Sequence, residues 1–252
     1  MTRTALVTGG ARSIGGAVSR RLATDGYVIA VHARADRPAV HDFVATLPGE
    51  SHVAVFGDIS VPSDAESIVS QAIDGLGHLD LLVNNAGVYI EGDLEHDDLA
   101  AWQKQWTETV ATNIFGTANV TFAAIQHFLH RDSGPSGARI VSVGSRGAYR
   151  GEPDAPAYGA SKAAVHSMTQ SLAVALAPHG IAVAAVAPGF VESERTKEKV
   201  SGAAGEQIRR QSPFGRVAQP DEIAAAVAWL ASPDALWASG AILDLNGASY
   251  LR

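Results

Sequence analysis

The chain has no cysteine among its 252 residues. Disulfides, thiolate nucleophiles and thiolate metal sites are therefore excluded, which suits a reducing compartment. Long apolar runs are missing as well, since no segment approaches the roughly 18 uninterrupted apolar residues of a membrane span. The opening MTRTALVTGG lacks the charged and apolar regions of a signal peptide, so none is expected, and the cytoplasm is the expected compartment. Excess positive charge is absent too: 19 Lys and Arg against 26 Asp and Glu give a formal net charge of −7. That argues against a nucleic-acid partner, which needs a basic footprint to neutralise phosphates. A local cationic cluster for a small anion remains compatible with it.

What is present is ordinary for a folded protein: 46% hydrophobic residues, 18% charged and 25 glycines. The length suits one large α/β domain. Short β-branched runs predict strands over Thr4–Thr8, Tyr27–Ala33, His52–Phe56, Leu79–Asn84, Ala138–Val143, Ile181–Ala187 and Ala241–Leu245. Ala-rich amphipathic stretches between them include Ile14–Asp25, Pro62–Gly75, Tyr158–Ala177 and Pro220–Ala231. Several strands are apolar almost throughout, as expected when helices cover both faces of a sheet. The repeated β-then-α order predicts a Rossmann-type, doubly wound parallel sheet of about seven strands. No linker-like tract divides the chain, so a single domain over residues 1–252 is expected. Asp132–Gly137 reads as a surface loop, and the polar stretch Glu192–Gln211 as either a mobile flap or an exposed helix.

The first strand runs straight into Gly9-Gly10-Ala11-Arg12-Ser13-Ile14-Gly15, and a helical pattern follows at once. A strand, a tight glycine turn and a helix N-terminus form an anion cradle, because unpaired N–H groups and the positive end of the helix dipole both favour a pyrophosphate. Farther along, Tyr158 and Lys162 stand four apart on a helical pattern and project from one face. A free phenol titrates near pH 10, and an adjacent ammonium stabilises its phenolate, which brings it nearer a useful range for proton transfer. Such a pair alone usually carries nothing. Ser145 alters the reading: it lies thirteen residues before Tyr158, after the run ARIVSV, where its hydroxyl could polarise a substrate oxygen. Ser142 is an internal competitor that the spacing disfavours. Asn113 falls inside the helical run TETVATNIFGTANV, where asparagine is unfavourable and needs a reason.

The glycine loop, Asn84-Asn85-Ala86-Gly87, Asn113, Ser145, Tyr158-Gly-Ala-Ser-Lys162 and Pro188-Gly189, in this order, resemble the motifs of the short-chain dehydrogenase/reductase family, in its single-domain, 3-oxoacyl reductase-like branch. The resemblance extends along nearly the whole chain. It implies a nicotinamide-dependent enzyme with Asn113, Ser145, Tyr158 and Lys162 as its catalytic set. Lys162 would also hold the nicotinamide ribose, and Asn113 would hold a water linking Lys162 to solvent. For the cofactor it implies Gly9, Arg12, Ser13, Ile14 and Gly15 at the pyrophosphate. Asp58 and Ile59 would meet the adenine, and Asn85, Ala86 and Gly87 would let the backbone approach. Pro188, Gly189, Val191 and Ser193 would stand at the nicotinamide.

Two departures matter. Ser13 occupies a usual glycine position, where a side chain would crowd the pyrophosphate, force a positive φ, or donate a hydrogen bond to phosphate. The family's NAD-selecting acid falls on Ala33, followed by Arg34, and Arg12 offers a second guanidinium for a 2′-phosphate. NADP(H) is therefore the expected cofactor, with NAD(H) the alternative; Asp36 is close enough to pair with Arg34 or Arg37. No metal is required, and His127 and His130 read as surface histidines. The stretch RGAYRGE, with Arg146, Arg150 and Glu152, suggests a polar or anionic group in a carbonyl or alcohol substrate. A 3-oxoacyl thioester, a sugar, a steroid-like ketone and a simple ketone all remain open. The resemblance further implies a homotetramer, or a dimer. The competing classes are an NAD-linked alcohol dehydrogenase and a dinucleotide sensor without turnover, which would have no need of all four catalytic residues.

Overall fold

The computed structural model describes residues 2–193 and 201–252. Its seven strands are β1 (Thr4–Val7), β2 (Val28–Ala33), β3 (Val53–Phe56), β4 (Leu81–Asn84), β5 (Arg139–Val143), β6 (Ala182–Pro188) and β7 (Ile242–Leu245), each within a residue or two of its sequence expectation. They form one sheet in the order β3-β2-β1-β4-β5-β6-β7, with every pair parallel. The chain winds outward from β1 to β3 and then crosses back to start β4 beside β1. That reversal opens a crevice at the carboxyl ends of β1 and β4, the place where such sheets bind ligands.

Alternating side chains along each strand feed two separate cores. Val7, Val31, Val141 and Val186 face helix α1 (Ser13–Thr24) and the Pro220–Ala231 helix, packing with Leu22, Ile223 and Val227. Their strand neighbours Leu6, Ala30, Ile140 and Val183 point the other way, onto Ile68, Val120 and Phe128. Burying an aliphatic side chain of this size contributes about 1.5–3 kcal/mol, so a one-residue slip of any strand would exchange both cores at once. This double-sided burial is why the strands read as continuous apolar runs.

After α2 (Pro38–Ala45) and α3 (Pro62–Leu76), four more helices matter for the site. Helix α4 (Leu99–Val110) passes through a π turn (Ala111–Gly116) into α5 (Thr117–His130). Helix α7 (Pro156–Leu176) crosses this turn, and a short helix α6 (Gly147–Arg150) leads into it from β5. Asp132–Gly137 is a loop as expected. Within Glu192–Gln211 a helix, here α8, spans Gly202–Arg209, while residues 194–200 lie outside the described residues. Among the described residues, no helix is long and apolar enough to cross a membrane.

Candidate functional site

At the β1–β4 crevice the glycine loop is held by one hydroxyl. Thr8 Oγ1 accepts hydrogen bonds from Asn85 N–H (2.9 Å) and Ala86 N–H (3.0 Å) and donates to Val83 O (3.3 Å). The Asn85 amide returns the tie by donating to Thr8 O and Gly9 O (2.9 and 3.1 Å). Asn85 is thus a brace for the loop through its side chain. Asn84 Nδ2 is spent on Thr121 Oγ1 at 2.8 Å. The loop has no room at Gly15, where a Cβ would stand 2.2 Å from Gly9 O and 2.4 Å from Asn85 Nδ2.

Ser13 adopts φ of +48°, the left-handed region that favours glycine. Of the outcomes the sequence left open there, the positive φ is the one observed. Ser13, Ile14 and Gly15 open α1, whose N-cap Arg12 supplies no side-chain cap. The first-turn N–H groups are therefore left to an anion. Arg12 and Arg34 are both exposed and have no ion-pair partner among the described residues. Asp36, expected within reach of Arg34 or Arg37, pairs instead with His41 Nε2 at 2.7 Å. This uncapped helix start beside two unpaired guanidiniums fits a dinucleotide carrying an additional phosphate.

Sequence reasoning missed His32. It is buried on β2; its Nδ1 accepts from Gly9 N–H at 3.2 Å, so Nε2 carries the proton and donates to Gly57 O at 3.0 Å. One neutral ring thereby joins the glycine loop to the turn after β3. Burial holds its pKa below the ordinary imidazole value, against the pull of the Gly57 carbonyl and Asp58. The only sequence signal was a polar residue in an otherwise apolar strand. Asp58, on that turn, accepts from Ser60 N–H (3.0 Å) and Ser60 Oγ (2.7 Å). Its carboxyl stays below the usual range: burial opposes this, but the Ser60 hydrogen bonds and the nearby Arg34 charge outweigh it. Ile59 is buried against the π turn, where a Gly116 Cβ would meet its side chain at 2.6 Å.

The second half of the site gathers on α7, the π turn and the end of β5. Lys162 is buried, with Nζ donating to Val143 O at 2.9 Å and standing 5.7 Å from the centre of the Tyr158 ring. Loss of hydration lowers its pKa to about 8. The Tyr158 ring meets Tyr89 edge-on at 4.8 Å. Asn113 sits in the π turn rather than in regular helix. Its Oδ1 accepts from Val88 N–H (2.8 Å), and its Nδ2 donates to Val88 O (2.9 Å) and Ser161 Oγ (3.0 Å). A Cβ at Gly87 would lie 3.1 Å from Asn113 Oδ1 and 3.6 Å from Lys162 Nζ, so this glycine lets the two side chains flank one strip of backbone. Ser145 follows β5 and its Oγ accepts from Gly147 N–H at 3.0 Å, whereas Ser142 lies within the strand, paired in register with Asn84.

His166, one turn beyond Lys162, was also missed. It is buried beneath Gly144, where a Cβ would stand 2.0 Å from its Nε2, and burial together with the Lys162 charge lowers its pKa to about 4. Pro188 accepts from Arg146 N–H (2.8 Å), and Gly189 donates its N–H to Leu245 O (3.1 Å). Val191 bridges Ala218 at the same sheet end, with Ser193 two residues on. Arg146 turns toward Ser249 Oγ (2.6 Å) in a cavity of about 390 Å³ beyond Phe190, and Arg150 bonds Gln211. Neither Ser145 nor Tyr158 lines that cavity. His127, read as a surface residue, accepts Leu79 N–H at 3.1 Å, and no group of metal-ligating side chains occurs among the described residues.

Two outcomes follow for the loop. Ser13→Gly changes dinucleotide affinity less than about tenfold, roughly 1.4 kcal/mol, whereas Gly15→Ala weakens it by more than a hundredfold; fluorescence titration measures both. Folded His32 takes its proton at a lower pH than the 6.5 of the unfolded chain. The unfolded state therefore binds more protons below that value, and stability falls as pH drops through the window. Denaturant unfolding at pH 7 and pH 5 reads this loss, which is smaller in His32→Gln.

Comparison with known proteins agrees with this geometry. Residues 9–247 match the family model described as enoyl-(acyl carrier protein) reductase. A 3-oxoacyl-[acyl-carrier-protein] reductase of Staphylococcus aureus is 32% identical over all of this chain and 99% of its own length. A short-chain dehydrogenase from Burkholderia cenocepacia in complex with NADP superimposes with a TM-score of 0.87 at 32% identity, covering 98% of this chain and 97% of that one. A 3-ketoacyl-(acyl-carrier-protein) reductase from Brucella melitensis complexed with NADH gives 0.87 at 30% identity, with 99% and 98% covered. Motifs, sheet order and full-length likeness converge: the chain belongs to the short-chain dehydrogenase/reductase family.

Proposed function

We propose that this protein is an NADPH-dependent reductase of 3-oxoacyl thioesters, forming the secondary alcohol. The observation that carries the reaction class is the buried Lys162 ammonium beside the Tyr158 ring, bordered by Asn113 and Ser145. The thioester reading is supported by the names of the full-length relatives.

Gly9, Arg12, Ser13, Ile14 and Gly15 would hold the pyrophosphate, Arg12 and Arg34 the 2′-phosphate, and Asp58 the adenine. Asn85, Ala86 and Gly87 keep the backbone close, and Pro188, Gly189, Val191 and Ser193 would border the nicotinamide. When bound, the dinucleotide supplies a hydride. The remaining work falls to the chain. Ser145 Oγ donates to the carbonyl oxygen and polarises it. Tyr158 gives its hydroxyl proton to that oxygen as negative charge develops on it. The Lys162 ammonium stabilises the phenolate that results, and a water held at Asn113 returns the proton. His166, kept neutral, adds no second cation behind Lys162. Exposed Phe115 and Phe122, each 60% accessible on the helix that carries the π turn, support self-association, as a homotetramer or a dimer.

NADPH oxidation with acetoacetyl-CoA tests the reading against a sugar and a simple ketone. Tyr158→Phe lowers kcat by about 10²–10⁴, the usual worth of a positioned acid; full activity in this variant overturns the mechanism. Wild-type reduction slows as pH rises through about 8, where Lys162 loses its proton, and Lys162→Met lacks this limb.

Arg34→Asp shifts the preference clearly toward NADH, measured as the ratio of kcat/KM values. An unchanged ratio overturns the NADPH assignment.

A further inference from the structure

The end of the sheet opposite the catalytic centre carries a second cavity, of about 370 Å³, where β1, β4 and β5 begin. Its wall holds three guanidiniums, Arg3, Arg131 and Arg139, against one carboxylate, Asp80. Asp80 is already saturated. Its Oδ1 accepts from Arg131 Nη1 at 2.8 Å, and its Oδ2 takes His78 Nε2 at 3.1 Å and Thr4 N–H at 3.0 Å.

The three arginines are not equivalent. Arg131 gives three further hydrogen bonds, to the carbonyls of Leu79, Gly134 and Ser136. Arg3 donates to Tyr27 Oη at 3.2 Å and to Asp25 O at 3.3 Å. Arg139 stands apart: the residue is only 7% exposed, its Nη1 is buried without a partner, and it joins no ion pair among the described residues. Tyr27, beside it, gives no compensating charge, because burial pushes the phenol above its ordinary value. A guanidinium does not release its proton in this pH range. A guanidinium nitrogen buried without a partner is unfavourable, and proteins pair such groups.

We propose that this cavity is an anion site with Arg139 at its base, taking a phosphate dianion, either inorganic phosphate or the phosphoryl group of a small metabolite. Three arginines against one aspartate leave two positive charges, 3 − 1 = 2, which a dianion balances. Ser133 and Ser136 in the same wall offer hydroxyls to its oxygens. The volume exceeds that of a bare phosphate, leaving space for a small body attached to it.

The test is thermal unfolding and calorimetric titration of the protein saturated with NADP+, so that phosphate does not enter the dinucleotide loop. Inorganic phosphate at a hundredfold excess over its Kd raises Tm by about 5–10 °C. In Arg139→Met that response disappears, while Tm without phosphate stays at or above wild type. Glycerol 1-phosphate forms the second arm: at least tenfold tighter binding than inorganic phosphate identifies a phosphorylated metabolite, and equal affinity identifies free phosphate. Arg3→Gln, at the cavity wall, weakens phosphate several-fold and serves if Arg139→Met does not fold. The proposal is overturned by no saturable binding to wild type, by an equal shift from sodium chloride at matched ionic strength, or by unchanged phosphate affinity in the folded variants.

Discussion

A single hydroxyl holds the two halves of the cofactor crevice together. Thr8 Oγ1 uses its whole hydrogen-bonding capacity, one proton and two lone pairs, on groups from the end of β4 and the turn beyond it. The glycine loop follows Thr8 directly, and Asn85 reaches back to its carbonyls. A valine of the same shape would fill the space yet leave two backbone N–H groups without their acceptor. The loop that would meet the pyrophosphate and the segment bordering Lys162 are the two ends of this tie.

Around that tie the protein manages charge by burial. Lys162 loses hydration and becomes a weaker base, while His32 and His166 remain neutral at positions where a proton would set a cation against a donor or against Lys162. The imidazoles thus serve as acceptors and spacers. Arg12 and Arg34 follow the opposite course: exposed and without an ion-pair partner among the described residues, they keep their charge available at the surface. In the function proposed above, the interior would serve proton transfer and the rim would hold an anion.

Much of this was legible in the chain itself. Strand and helix positions followed from periodicity, because two cores on one parallel sheet demand apolar strands and amphipathic helices. The residues proposed for catalysis were named from the order of motifs that resemble one family's, since the Tyr158–Lys162 spacing alone usually carries nothing. What escaped had little local signal. His32 and His166 act through backbone groups 23 and 21 residues distant in sequence, which no window of residues reveals. The burial of Ile59 gave no sign either, because it depends on Gly116, far along the chain.

The π turn at Ala111–Gly116 has a further consequence. A π turn holds one more residue than the α-helical turn it replaces, and each residue rotates a helix by about 100°. The segments on either side are therefore out of phase with one another, like two gears offset by a tooth. The offset lets one continuous rod aim Asn113 at Val88 and Ser161 while its later turns bury Val120, Ala124 and Phe128 against the sheet. Removing one residue would restore an unbroken α-helix and cost the protein one of those two alignments.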